Sequence, residues 1–194
     1  MKSGRLYLAL AVMLAMMGCE AVGVGASSDP EVKIGQAREL EREGRLWVAK
    51  RLLDEALEIY QKRNDEEGIA EAYRQFALFY RTSPKGRGLL VPDEFVNTPE
   101  GAQKRYLLAI DYFQKSLAIV QKLGRIDREV NLYFVMSETQ AWLNDTTAAC
   151  MSLQNSLDAS HKALQLNPQL QFEMGRFKSW DELIDSTKRV LKCA

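Results

Sequence analysis

The chain has 194 residues, with 26 basic and 26 acidic side chains and a formal net charge of zero. That balance excludes a strongly basic nucleic-acid binder, which needs an electropositive face. Hydrophobic residues make up 46% and charged residues 27%, a composition that supports one soluble domain with a sizeable core.

The first element is an export signal over residues 1–18. Lys2 and Arg5 precede an apolar run from Leu6 to Met17, too short to span a membrane comfortably. Its loss leaves 24 basic against 26 acidic residues. The run ends in Met16-Met17-Gly18-Cys19, which resembles a bacterial lipobox, with Met16 where Leu is usual. The resemblance implies a lipid on Cys19, and Glu20 in place of Asp implies the outer membrane. An ordinary signal cut near Ala21 or Ala26 is the alternative. Residues 19–29 are small and polar and read as a flexible tether. Cys150 and Cys193 then remain as an even pair in an oxidising compartment. We expect them to form a disulfide closing a loop of about 44 residues. Two buried free thiols are the alternative.

Residues 30–194 read as one all-α domain. Ser28-Asp29-Pro30-Glu31 starts the first helix, which runs to about Glu43 with Val32, Ala37 and Leu40 inward. Gly44 stops it. The next helix, from Arg45 to about Arg63, carries Leu46, Ala49, Leu53 and Ala56 at spacings of three and four. A third, from about Glu66 to Arg81, carries Tyr73, Phe76, Ala77 and Tyr80 in the same way. Prolines and glycines then break the pattern over roughly 82–103. Leu89, Leu90, Val91 and Phe95 in that stretch either tuck onto the domain or meet a partner. Tyr106, Ala109, Phe113, Ser116 and Leu117 define the fourth helix. Tyr133, Met136 and Ser137 define the fifth, Asn144-Asp145 the turn, and Ala149, Leu153, Ser156 and Leu157 the sixth. Asn167-Pro168 ends this run. Past a linker at 169–178, Ser179 caps a last helix whose Trp180, Leu183, Ile184, Val190 and Leu191 would cover the open end.

Gly44, Leu46, Ala49, Leu53 and Ala56 resemble the second helix of a tetratricopeptide repeat. Tyr73, Phe76, Ala77 and Tyr80 are similar to its first helix, while Lys33, Gln36 and Gln140 depart from it. The resemblance implies about three helical-hairpin repeats, at 30–65, 66–125 with the inserted loop 82–103, and 126–168. It further implies a capping helix at 179–192. An irregular helical bundle is the alternative.

The family binds peptides on a concave face lined by first helices. That implies a partner-binding set of Arg38, Arg74, Leu78, Arg81, Phe134, Glu138 and Trp142, beside Ile34, Glu41 and Ala141. Arg74 and Arg81 would hold a carboxylate, and Phe134 and Trp142 an apolar side chain. The Asn and Lys clamp of the chaperone-binding members is absent. A solvated, salt-bridged face, with Trp142 packed on the last helix, is the alternative.

No nucleophile motif, cofactor box or metal-ligand spacing stands out, so no enzyme is expected. His161 is the only histidine and reads as a surface residue. Gly86 and Gly88 lack the context of a phosphate loop. The expected role is a periplasm-facing, lipid-anchored adaptor or assembly factor that binds a segment of another envelope protein. A permanent structural subunit, or an envelope enzyme, are the alternatives.

Overall fold

A computed structural model of the chain describes residues 27–81 and 98–193. Cys19, the export signal, most of the tether and residues 82–97 of the expected insertion lie outside the described residues. Among the described residues are seven helices and no strand. They are α1 (Pro30–Arg42), α2 (Leu46–Lys62), α3 (Glu66–Arg81), α4 (Pro99–Lys122), α5 (Ile126–Trp142), α6 (Thr146–Leu166) and α7 (Trp180–Leu191).

Helix starts follow local chemistry. The Asp29 carboxylate accepts the Glu31 N–H at 2.9 Å, and Pro30 sits in the first turn of α1. Thr98 Oγ1 accepts the Gly101 N–H at 3.0 Å ahead of α4, with Pro99 in its first turn. Ser179 Oγ accepts the Glu182 N–H at 3.1 Å ahead of α7. The Thr98-Pro99-Glu100 start corrects the expected insertion boundary. Helix begins at Pro99, so 99–103 belong to α4, because proline at the first helical position costs no hydrogen bond.

Four links between helices share one construction. Gly44, Asn64, Gly124 and Asn144 each adopt positive φ, between 51° and 77°. In each link the next residue's N–H returns to a carbonyl five residues back: Arg45 to Leu40, Asp65 to Tyr60, Arg125 to Val120, Asp145 to Gln140. This satisfies carbonyls that a helix end leaves open, and only Gly or Asn enters that backbone region at low cost. The chain therefore reverses in a fixed way each time.

The helices pack as neighbouring pairs. α1 lies on α2, α3 on α4 and α5 on α6; α2 then meets α3 and α4 meets α5. α1 also touches α3, which places first helices side by side. Equivalent positions recur at an offset of 40 residues, or 60 across the insertion. Ala37, Ala77 and Ser137 are buried on first helices; Ala49, Ala109 and Ala149 are buried on second helices, followed by Leu53, Phe113 and Leu153. Small residues at these points let helix backbones approach, and the large ones fill the space beside them. Ser116 Oγ donates to the Ala70 carbonyl at 2.8 Å, and its equivalent Ser156 donates to the Val130 carbonyl, also at 2.8 Å.

Two apolar clusters result. One runs from Ile34 in α1 to Met136 in α5. The other joins Val130, Leu153, Ala159 and Ala163 to Trp180 and Ile184 of α7. A disulfide between Cys150 and Cys193, with Cα atoms 5.7 Å apart, ties the end of α7 to the start of α6. His161 Nε2 lies 2.8 Å from Asp181 Oδ1 at the surface, linking the same two helices. Two inward assignments are corrected. Val32 is exposed and Ile34 is buried in its place, because the stripe of α1 runs Pro30, Ile34, Ala37, Leu40. Val190 is 77% exposed, since α7 turns that side away from α6.

Candidate binding groove

Two open cavities lie along the first helices. One, of about 520 Å³, is walled by Glu31, Ile34, Gly35 and Arg38 of α1, Tyr60 of α2, and Glu67, Gly68 and Glu71 of α3. The other, of about 400 Å³, lies among α3, α4 and α5 and is closed on one side by residues 170–173. Glu71 and Arg128 line both, so the cavities adjoin at those two side chains. They are also equivalent in register. Glu31, Tyr60, Glu67 and Glu71 of the first correspond to Glu71, Val120, Asp127 and Asn131 of the second.

The closing segment is extended. Leu170, Phe172 and Met174 pack inward on the second cluster, while Gln171 and Glu173 point to solvent. That is the period of two that an extended chain imposes. The chain thus lays its own linker at one end of the groove and leaves the α1–α3 end open.

Glu71 organises the shared wall. Its carboxylate accepts Arg74 Nε at 2.9 Å and Arg74 Nη2 at 2.8 Å. It also accepts Gln75 Nε2 at 2.6 Å and has Arg38 Nη2 at 3.6 Å. Arg38 Nε donates to Gln75 Oε1 at 2.9 Å. Burial alone would raise the Glu71 carboxyl. The hydrogen bonds from Arg74 and Gln75 and the charge of Arg38 outweigh it and hold the group below its ordinary 4.5. Arg38 and Arg74 therefore do line the groove, and their guanidinium groups are engaged by Glu71.

The other expected residues divide. Arg81 Nη2 donates to Glu138 Oε2 at 2.8 Å, and its guanidinium carbon lies 4.5 Å from the ring centre of Trp142. Burial lowers the Arg81 pKa, with Glu138 opposing it. Trp142 is 49% exposed and leans on Tyr106 at 5.3 Å, not on the last helix. These form a separate cluster at the C-terminal ends of α3 and α5, away from both cavities. Leu78 packs against the first apolar cluster. Phe134 packs edge-on to Trp180 at 5.4 Å and belongs to the second. Sequence reasoning passed over Tyr60, Glu31, Asp127, Arg128, Asn131 and residues 170–173. The recurrence at 40 residues, or 60 across the insertion, is the signal that aligns most of them. Among the described residues no group of three or more His, Cys, Asp or Glu is placed to hold a metal ion. No helix among them is long and apolar enough to cross a membrane.

No protein-family model matches the chain, and no curated protein sequence matches it.

Proposed function

We propose that this protein is an exported, lipid-anchored scaffold of tetratricopeptide-like hairpins that captures an extended segment of another envelope protein. The observation that carries the reading is the groove, two register-equivalent cavities that share Glu71 and Arg128 as wall residues along the first helices. A groove of this kind presents walls at a repeated register to a chain that itself repeats along its length. Four identical helix links, the stacking of α1 beside α3 and the buried alanine positions support the repeat reading. Fold alone does not select the partner, which is why the groove and not the architecture bears the weight. The lipobox-like Met16-Met17-Gly18-Cys19 supports the anchor, and the Cys150–Cys193 bridge fits an oxidising compartment.

The test is site-specific photocrosslinking in intact envelopes. A crosslinker at Asn131, in the groove, is compared with one at Met151, exposed on α6. A discrete adduct from Asn131 and none from Met151 is the expected result. Equal adducts from both positions, or none from Asn131, would overturn the reading. A second comparison replaces Cys19 with Ala behind a cleavable signal; the adduct should weaken when the anchor is lost.

A further inference from the structure

The two cavities share a register but not a chemistry. Where the second has Val120 and Arg128, the first has Tyr60 and Gly68. Gly68 allows the difference: a Cβ built there would lie 2.0 Å from Tyr60 Cδ1, so the aromatic ring occupies the space a side chain would take. Tyr60 is only 5% exposed. Its hydroxyl makes no hydrogen bond to another described residue. It carries a raised pKa of about 12, first through burial and then through Glu31, Asp65, Glu71 and Asp29. Three of those carboxylates, Glu31, Asp65 and Glu71, line the same cavity as Tyr60 and act on its hydroxyl through their charge.

The arginines of that cavity are already committed. Arg38 is held by Glu71 and Gln75, and Arg128 lies 3.7 Å from Glu67. Glu31 and Asp65 have no ion-pair partner among the described residues; Asp65 only caps α3 through the Gly68 N–H. The cavity therefore holds two uncompensated carboxylates and an unpaired phenol beside an aromatic face. A planar cation with several donors satisfies all three groups, while an anion satisfies none. Its volume of about 520 Å³ is ample for one side chain and adjoining backbone.

We infer that the α1–α3 cavity is a receptor for an arginine side chain on the extended segment of the partner protein, held by Tyr60, Glu31 and Asp65. The inference rests on the peptide-capture reading and specifies what the captured segment carries. The guanidinium lies among the carboxylates, its stem crosses the Tyr60 ring edge, and the partner backbone continues toward Arg128 and the second cavity.

The test uses the full-length protein and nitrogen-15 amide shifts of Gly35 and Gly68, both in the cavity wall. The probes are a blocked Gly-Ser-Gly-Arg-Gly-Ser-Gly peptide, the same peptide with neutral citrulline replacing Arg, and spermidine. The arginine peptide should shift both amides saturably and bind about 10-fold tighter than the citrulline peptide, as loss of charged hydrogen bonds requires. Tyr60→Phe keeps the ring and removes the hydroxyl; Glu31→Gln changes an exposed carboxylate and leaves the fold alone. Each should weaken the arginine peptide by about 3- to 10-fold and leave the citrulline peptide unchanged. Equal affinity for the two peptides would overturn the cation preference and leave the groove a peptide site. Spermidine binding as tightly as the arginine peptide would assign the cavity to free amines and overturn the partner. No shift from either peptide would overturn both this inference and the capture reading beneath it.

Discussion

In the α1–α4 half the contact positions hold Phe76, Phe79, Tyr80 and Phe113; in α5–α6 the equivalent positions hold Met136, Thr139, Gln140 and Leu153. Phe76 and Tyr80 stack on Tyr112 at 4.9 and 5.7 Å. The α5–α6 pair instead buries Ser137, Thr139, Ser152, Ser156 and Ser160. Several of these hydroxyls return to carbonyls of their own helix, as Thr139 does to Val135 at 2.9 Å. Such bonds satisfy a polar group without adding apolar burial, which is the main favourable term in folding. One backbone plan is thus filled with aromatics in one half and with small polar residues in the other. The poorer half carries the extra devices, namely Trp180 and Ile184 of α7, the linker anchors Leu170 and Phe172, and the disulfide.

The comparison breaks most directly at Trp180. The residue is buried, contacts Phe134 and Phe172, and donates Nε1–H to Ser156 Oγ at 3.1 Å. Trp180→Ala should cost about 3–5 kcal/mol, the range for a buried aromatic. Native-state hydrogen exchange should then show lost protection in α5–α7 and retained protection in α1–α3. Equal loss in both halves would mean the two clusters open as one unit. The Cys150→Ser, Cys193→Ser double variant comes next. On the chain-entropy account a bridge over a sequence separation of 43 contributes about 4 kcal/mol. Urea midpoints with and without the bridge measure it. A loss that spread to α1–α3 would again join the halves.

A finer comparison pairs Ser116 with Ser156. Both donate to a first-helix carbonyl, but only Ser156 also receives a bond, from Trp180. Ser156→Ala leaves a buried indole N–H without a partner, at about 1–3 kcal/mol; Ser116→Ala loses one hydroxyl bond, at about 1 kcal/mol or less. Equal costs, read from denaturant midpoints, would show that the Trp180 bond contributes nothing.

The sequence carried the helix pairs, the alanines at their contacts, the Gly44 and Asn144 reversals and the cysteine pair, because each is set by spacing or local backbone chemistry. It missed what depends on a residue from another helix. Phe134 looked like a free anchor because Trp180, which covers it, lies 46 residues further along. Arg74 reads as a carboxylate holder for the partner, whereas Glu71, three residues before it on the same helix, already engages it. Tyr60 carries no functional signal by spacing, and its place in the cavity wall beside Gly68 shows only in the packed structure. Trp142 reads as a partner anchor or, in the alternative, as packed on the last helix, whereas Arg81 and Tyr106 hold it at another corner. The linker at 169–178 reads as a gap by periodicity, and its alternation of Leu170, Phe172 and Met174 acquires meaning only against a packed wall.

The smallest predicted effect concerns charge, and it too separates the halves. Glu71 titrates below its ordinary value, so its contribution is complete above about pH 4.5 and fades as pH falls through the folded pKa. Its side chain is 29% exposed, so the network with Arg38 and Arg74 is worth less than about 1 kcal/mol after solvent screening. Glu71→Gln should lower the urea midpoint at pH 7, and the difference should shrink at an acid pH below the lowered pKa of the native carboxyl. The register equivalent in α5 is Asn131, which cannot titrate, so exchange protection in α5–α6 should respond to this substitution at neither pH. A pH-independent cost of Glu71→Gln would instead mean that its shape and neutral hydrogen bonds, and not its charge, hold α1 against α3. The wall of the groove would then keep its form in acid.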